Sequence, residues 1–130
     1  MKKPRINISV IKEITGYSAN VVVNGSFIAT EAETFEELKA NVLEAVNLAF
    51  EEIGFVYIIE EIQFKYDLES FFDFYKVINA KALSERIGMN QSLLAQYIKG
   101  IKKPSKLQIE RILKGVQQIG RELSEVRFLL

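Results

Sequence analysis

The second half of the chain is organised around residues 80–100, which read AKALSERIGMNQSLLAQYIKG. Two short helical patterns, residues 80–87 and 91–99, each follow an asparagine, a residue type that caps helix N-termini. Between them lies Gly88, which can end the first helix and turn the chain. Helices joined by a short turn that often contains glycine pack at about 90–120° to each other. The spacing therefore predicts a helix-turn-helix.

The side chains of this motif divide into an inward and an outward set. The predicted inward set is apolar or small and comprises Leu83, Ser84, Ile87, Met89, Leu94 and Tyr97. The outward set on the second helix is polar: Gln91, Ser92, Gln96 and Lys99. A helix-turn-helix presents the N-terminal end of its second helix to the DNA major groove, so the polar set favours DNA binding. A two-helix core motif without a DNA role would show the same apolar spacing.

Charge is distributed unevenly, although 17 basic and 17 acidic residues cancel to a net charge of zero. Residues 1–30 carry a net charge of +3, residues 31–75 one of −10, and residues 76–114 one of +7. A chain divided in this way suggests two modules with different partners. The basic block is the expected footprint of a surface that binds a polyanion. The alternative is a solvated charged face.

The first half predicts a βββαβ unit, a three-stranded meander followed by a helix and a returning strand. Asn24-Gly25 is a strong hairpin signal, because both residue types tolerate the positive φ of a type I′ turn. Thr34 caps the helix, and Gly54 ends it. The acidic residues of this helix form either a solvated face or a surface for a basic partner. The predicted strands are 6–14, 17–23, 26–30 and 61–65.

Several function classes are excluded by composition. The 130 residues contain no Cys and no His, so a disulfide scaffold, a thiolate zinc site and catalysis by Cys or His are ruled out. No apolar run approaches the roughly 20 residues that span a bilayer, and no signal peptide is recognisable, so a cytoplasmic protein without a membrane partner is expected. The first strand carries no carboxylate before Glu13, which argues against a metal-dependent nuclease. We expect no catalytic residues, no metal and no cofactor.

Residues 80–100, followed by Lys102-Lys103-Pro104-Ser105, resemble the Cro/C1-type (Xre) helix-turn-helix. The first half is similar to a HicB antitoxin domain, a partial RNase H-like βββαβ fold. Tyr17-Ser18-Ala19 and Thr34-Phe35-Glu36-Glu37-Leu38 carry that similarity, and a shortened loop at Asn24-Gly25 replaces the Pro-Gly-rich segment common in the family. The resemblance implies an antitoxin that inhibits a small ribonuclease and represses its own operon.

Matching to the Xre motif also implies the site residues. Bases are expected to be contacted by Gln91, Ser92, Leu93 and Gln96, with a core position as the alternative for Leu93. Phosphates are expected to be contacted by Lys81, Asn90, Lys99, Lys102, Lys103 and Lys106.

Together these features predict an α+β protein with a HicB-like βββαβ domain over residues 1–66. A Cro/C1-type helix-turn-helix domain with a C-terminal tail is predicted over residues 67–130. The expected function is sequence-specific binding of double-stranded DNA at an inverted-repeat operator, as a homodimer that pairs through the tail or a sheet edge. The expected protein partner is a HicA-like toxin. The alternatives are a module that neutralises a ribonuclease without specific DNA binding, and a stand-alone phage-repressor-like regulator without a toxin.

Overall fold

The computed structural model describes residues 2–130 and is of mixed α+β architecture, with a four-stranded sheet and five α-helices in this range. The chain divides into two compact units, one ending at Phe74 and the other covering Tyr75–Leu130. The sequence predicts a division at residues 66/67, so the structure assigns one more helix to the first unit than the sequence does.

The elements of the first unit begin with β1 Ile6–Lys12, β2 Tyr17–Val23, β3 Ser26–Ala32, α1 Phe35–Ala49, a short 3-10 turn at Ile59–Glu61, and β4 Ile62–Tyr66. The four strands form one sheet in the order β3-β2-β1-β4. The first three strands form an antiparallel meander, and β4 returns to pair parallel with β1, where Ile6 lies opposite Ile62. This confirms the predicted βββαβ order.

The hairpin between β2 and β3 closes on the two residues that the sequence singles out. Asn24 has a φ of 49° and Gly25 a φ of 77°, and Asn24 is the only non-glycine residue with positive φ within residues 2–130. Both angles lie in the left-handed region that a type I′ turn requires. The turn fixes the register in which Val23 lies opposite Ser26.

The core of the first unit lies between one face of the sheet and α1. Alternate residues of β1 point inward, and the apolar stripe of α1 covers them because its buried positions recur at intervals of four residues. The N-terminus of α1 is capped by the Thr34 hydroxyl, which accepts a hydrogen bond from the Glu37 amide at 3.2 Å. The most completely buried side chains are Ile6, Ile8, Val10, Leu38, Val42 and Val46.

Helix α1 ends earlier than predicted, at Ala49 rather than near Gly54. The backbone of Phe50 departs from helical geometry, and its side chain is buried beside the rings of Phe55 and Tyr57. Turns then carry the chain to Gly54, whose φ is 90°.

Helix α2 (Leu68–Phe74) packs on the sheet of the first unit. Ser70 is fully buried, and its hydroxyl accepts the backbone N–H of Lys12 at 2.7 Å. The ring of Phe74 lies 4.3 Å from those of both Tyr17 and Phe35, measured between centroids. These contacts explain why the unit extends to Phe74 rather than ending with β4.

The second unit is helical and consists of α3 Ala80–Ile87, α4 Gln91–Ile98 and α5 Lys106–Glu125. Helix α5 lies against α3, where Gly115 allows close approach, and Arg86 joins Glu122 through two hydrogen bonds of 2.7 and 3.0 Å. This ion pair raises the pKa of Arg86 and lowers that of Glu122. The tail, residues 126–130, forms no strand, and Phe128 is exposed.

Candidate nucleic-acid interface

Two asparagine caps and a glycine turn define the ends of α3 and α4. The carboxamide oxygen of Asn79 accepts the Ala82 amide at 2.9 Å, and that of Asn90 accepts the Leu93 amide at 3.1 Å. Gly88 adopts the left-handed conformation, with a φ of 67°. The amide of Met89 reaches back to the carbonyl of Ser84, which is the hydrogen bond of a Schellman motif. The predicted caps at Asn79 and Asn90 and the predicted turn at Gly88 are therefore confirmed.

The inner side of the corner between α3 and α4 contains the side chains predicted there. Leu83, Ser84 and Leu94 are at most 1% exposed, and Met89 and Tyr97 are also buried. Ile87 is only half-buried. The Ser84 hydroxyl donates to the carbonyl of Lys81 at 2.6 Å, so this small polar side chain is satisfied within its own helix.

The outer side of α4 presents the predicted base-contacting residues, with one exception. Gln91, Ser92 and Gln96 are exposed, whereas Leu93 is half-buried and lies between the core and the surface. Ser92, Gln96 and Lys99 follow one another at helical intervals of four and three residues, so they lie along one face. This face offers hydroxyl and carboxamide groups that can both donate and accept hydrogen bonds.

Asn90 can serve as the cap and still reach a phosphate. Its carboxamide oxygen accepts the Leu93 amide, and its NH₂ group, the part that can donate to a phosphate oxygen, is not used by the cap. The cap holds the first turn of α4 and thereby orients the amides at the start of that helix.

The predicted phosphate-binding lysines are all exposed. Three of them, Lys99, Lys102 and Lys103, occupy the end of α4 and the loop that follows, and Lys106 begins α5. The loop is closed by Gly100, with a φ of 74°, and by the amides of residues 101 and 102, which both donate to the carbonyl of Gln96. Lys81 lies in the first turn of α3. None of the ion pairs found among residues 2–130 involves these five lysines.

Arg111 is a residue whose role sequence reasoning missed. Its guanidinium, on α5, donates to the carbonyl of Ile87 at 2.7 and 3.0 Å and to that of Gly88 at 2.7 Å. These carbonyls lie at the end of α3, in the turn that sets the direction of α4. Arg111 thus ties α5 to the turn, whereas the sequence marks it only as a member of the basic block.

The two units carry net charges of opposite sign. Within residues 75–130, eleven basic residues oppose four acidic ones, a net charge of +7. Within residues 2–74, six basic residues oppose thirteen acidic ones, a net charge of −7. By net charge alone, residues 75–130 would attract a polyanion and residues 2–74 would repel it.

Within residues 2–130, no group of three or more acidic side chains is placed to hold a metal ion, and no helix is both long and apolar enough to cross a membrane. No protein-family model, curated protein or solved structure matches the chain.

Proposed function

We propose that the chain is a sequence-specific DNA-binding transcriptional regulator. We further propose that it acts in the cytoplasm as a HicB-like antitoxin, repressing its own operon and inhibiting a cognate ribonuclease toxin, and that it is not an enzyme. The observation that carries the DNA-binding proposal is the exposed polar face of α4, which lies in a unit of net charge +7 and is flanked by exposed lysines.

The chemistry of this face suits base recognition in the major groove. Gln91 and Gln96 can each pair with the N6 and N7 atoms of adenine, and Ser92 can donate to or accept from several bases. Leu93, which is half-buried, would supply an apolar contact to a thymine methyl group. The lysines and the NH₂ group of Asn90 supply phosphate contacts, which position the helix without reading sequence.

The decisive experiment compares specific with random DNA. A binding site is first isolated from a pool of random duplexes by repeated selection on the wild-type protein. Gln91→Ala is expected to weaken binding to that site by about 1–3 kcal/mol, and to change binding to random DNA little. Gln63→Ala, an exposed glutamine in the first unit, is the matched control and leaves both affinities unchanged. Equal losses on both DNAs for Gln91→Ala would contradict base recognition.

The acidic first unit supports the second part of the proposal and also the alternative of a ribonuclease-neutralising module without specific DNA binding. Its net charge of −7 favours a basic protein partner. A short adjacent reading frame that encodes a basic, His-containing protein provides the test. If that protein degrades RNA and is inhibited by this chain, the antitoxin role is supported. If no such gene lies nearby, a stand-alone regulator is the better description.

A homodimer on an inverted repeat completes the proposal. A single short helix reads few base pairs, and dimers gain affinity by binding two half-sites. The second unit leaves apolar side chains exposed along α5 and in the tail, among them Leu113, Leu123 and Phe128. Sedimentation at micromolar concentration is expected to give the mass of a dimer, and a monomer would contradict it. Deleting residues 125–130 tests the contribution of the tail.

A further inference from the structure

A groove on the first unit runs along the C-terminal end of α1. It is lined by Glu44, Asn47, Leu48, Glu51, Phe55 and Val56. Leu48 and Val56 are 62% and 73% exposed, so the groove presents large apolar side chains to solvent. Ile53 and Ile58, close to these residues in the chain, are also exposed. Clustered exposed apolar residues with a polar rim are typical of a binding surface.

The groove is held in shape by contacts that do not depend on a partner. The Asn47 side chain forms two hydrogen bonds to the backbone of Tyr57, accepting its amide at 2.7 Å and donating to its carbonyl at 3.2 Å. The Tyr57 hydroxyl donates to the carbonyl of Pro4 at 2.6 Å. Segment 55–57 is therefore fixed against α1, and a partner would meet a preformed surface.

Negative charge predominates around the groove. Residues 40–64 contain five acidic residues and no Lys or Arg. The one nearby cation, Lys3, donates to the carbonyl of Val56 at 2.7 Å and is itself paired with Glu61. The two glutamates that line the groove, Glu44 and Glu51, are exposed and form none of the ion pairs found among residues 2–130. An apolar surface bordered by uncompensated carboxylates complements a segment that carries apolar anchors and positive charges.

We propose that this groove binds a cationic amphipathic segment of a different protein. The apolar side chains of that segment pack on Leu48 and Val56, and its Lys or Arg side chains lie beside Glu44 and Glu51. The inference deepens the antitoxin part of the proposed function by naming the surface and the chemistry of the partner segment. It does not involve the helix-turn-helix, so its failure leaves the DNA-binding test unaffected.

The test uses the full chain and a synthetic helical peptide with leucines on one face and lysines on the other. A second peptide of the same pattern, with glutamate in place of lysine, is the charge control. Binding of the lysine peptide is expected to shift the backbone amide NMR signals of residues 44–58, and the glutamate peptide is expected to shift none. Shifts spread over all acidic surfaces would overturn the proposal.

Matched variants separate the groove from general electrostatic attraction. Val56→Ser is expected to weaken lysine-peptide binding about fivefold to tenfold, because it removes an exposed apolar contact. Val22→Ser, which alters a valine of similar exposure on β2, leaves the affinity unchanged. Likewise, Glu51→Lys weakens binding more than Glu31→Lys, an equal charge change on β3. Equal effects within either pair would overturn the proposal.

A further measurement tests whether a second copy of this chain, rather than a different protein, occupies the groove. The sedimentation mass of the chain without peptide is compared between wild type and Val56→Ser. An unchanged mass supports a foreign partner. If Val56→Ser dissociates an oligomer of the wild type, the groove holds a second copy of this chain and the proposal is wrong.

Discussion

The absence of a side chain at Gly115 lets α5 lie against α3. A Cβ atom at this position would come within 2.5 Å of Cγ2 of Ile87 and within 3.2 Å of Cδ1 of Leu83. The Cγ2 methyl of isoleucine branches at Cβ, so it cannot move aside without displacing the backbone or the rotamer. Gly120, in the same helix, has nothing within 4 Å of the corresponding position. The two glycines therefore form a natural pair for comparison.

Gly120→Ala is expected to raise the free energy of unfolding by about 0.5–1 kcal/mol, because alanine favours the helix over glycine. Gly115→Ala gains the same helix propensity but overpacks the contact with α3, at a cost of about 1–3 kcal/mol. Urea denaturation of the two variants should therefore show Gly115→Ala to be the less stable. Equal stability would mean that the α3–α5 contact is looser than the structure indicates.

The hydroxyl of Tyr17 donates to the Asp73 carboxylate at 2.5 Å, and this bond, with burial, raises the pKa of Tyr17 to about 12. The bond requires the protonated phenol, whose unfolded-state pKa is about 10. Its contribution to stability is therefore complete below pH 10 and is lost as the pH rises from about 10 to 12.

The denaturation midpoint of the wild type should be higher than that of Tyr17→Phe at the lower end of this range, and the difference should disappear as the pH rises. Ultraviolet titration of the native protein should show a phenol ionising near pH 12 that is missing in Tyr17→Phe. If the difference in denaturation midpoint stays constant up to pH 12, stability does not depend on the ionisation of Tyr17 and the prediction is wrong.

Among the elements, the loop between α4 and α5 has the clearest function to test. Replacing Lys102 and Lys103 together by alanine is expected to weaken binding to all DNA sequences alike, because phosphate contacts carry no sequence information. The slope of log affinity against log salt should become shallower by about 0.9 for each phosphate that the protein no longer neutralises. The double variant Lys2→Ala/Lys65→Ala removes the same charge from the first unit and should leave the slope unchanged. If both double variants flatten the slope equally, the loop lysines only contribute to overall charge.

Sequence alone predicts the elements whose signals are local. The N-caps at Thr34, Asn79 and Asn90 form as expected, because each bonds an amide only three residues ahead. The positive φ at Asn24-Gly25 is likewise a property of the dipeptide. Local capping and turn chemistry thus determine most element boundaries in the candidate site.

The features that sequence reasoning missed depend on distant contacts. Ser70 meets the backbone of a residue 58 positions away, which assigns α2 to the first unit. Arg111 meets carbonyls 23 and 24 positions away, and this contact distinguishes it from the other basic residues. No periodicity or spacing along the chain reports such contacts.

On the scale of the whole molecule, the junction between the two units is a short exposed segment. Tyr75, Lys76 and Val77 are all exposed. The backbone carbonyl of Tyr75 accepts a hydrogen bond from the amide of Ile78. Segments with few buried contacts open locally at low free energy and are cut first by proteases. Brief trypsin treatment should therefore cleave after Lys76, close to the boundary between the two units.

The same digestion also tests the DNA interface, because Lys102 lies in the exposed loop that is proposed to meet phosphates. In free protein, mass spectrometry should detect cleavage after both Lys76 and Lys102. Bound to its selected DNA site, the protein should lose cleavage after Lys102 and retain cleavage after Lys76, because only the former lies beside the proposed phosphate contacts. Equal protection of both lysines would show that DNA also covers the junction. Protection of neither would place the bound DNA away from this loop, and with it the recognition surface assigned to α4.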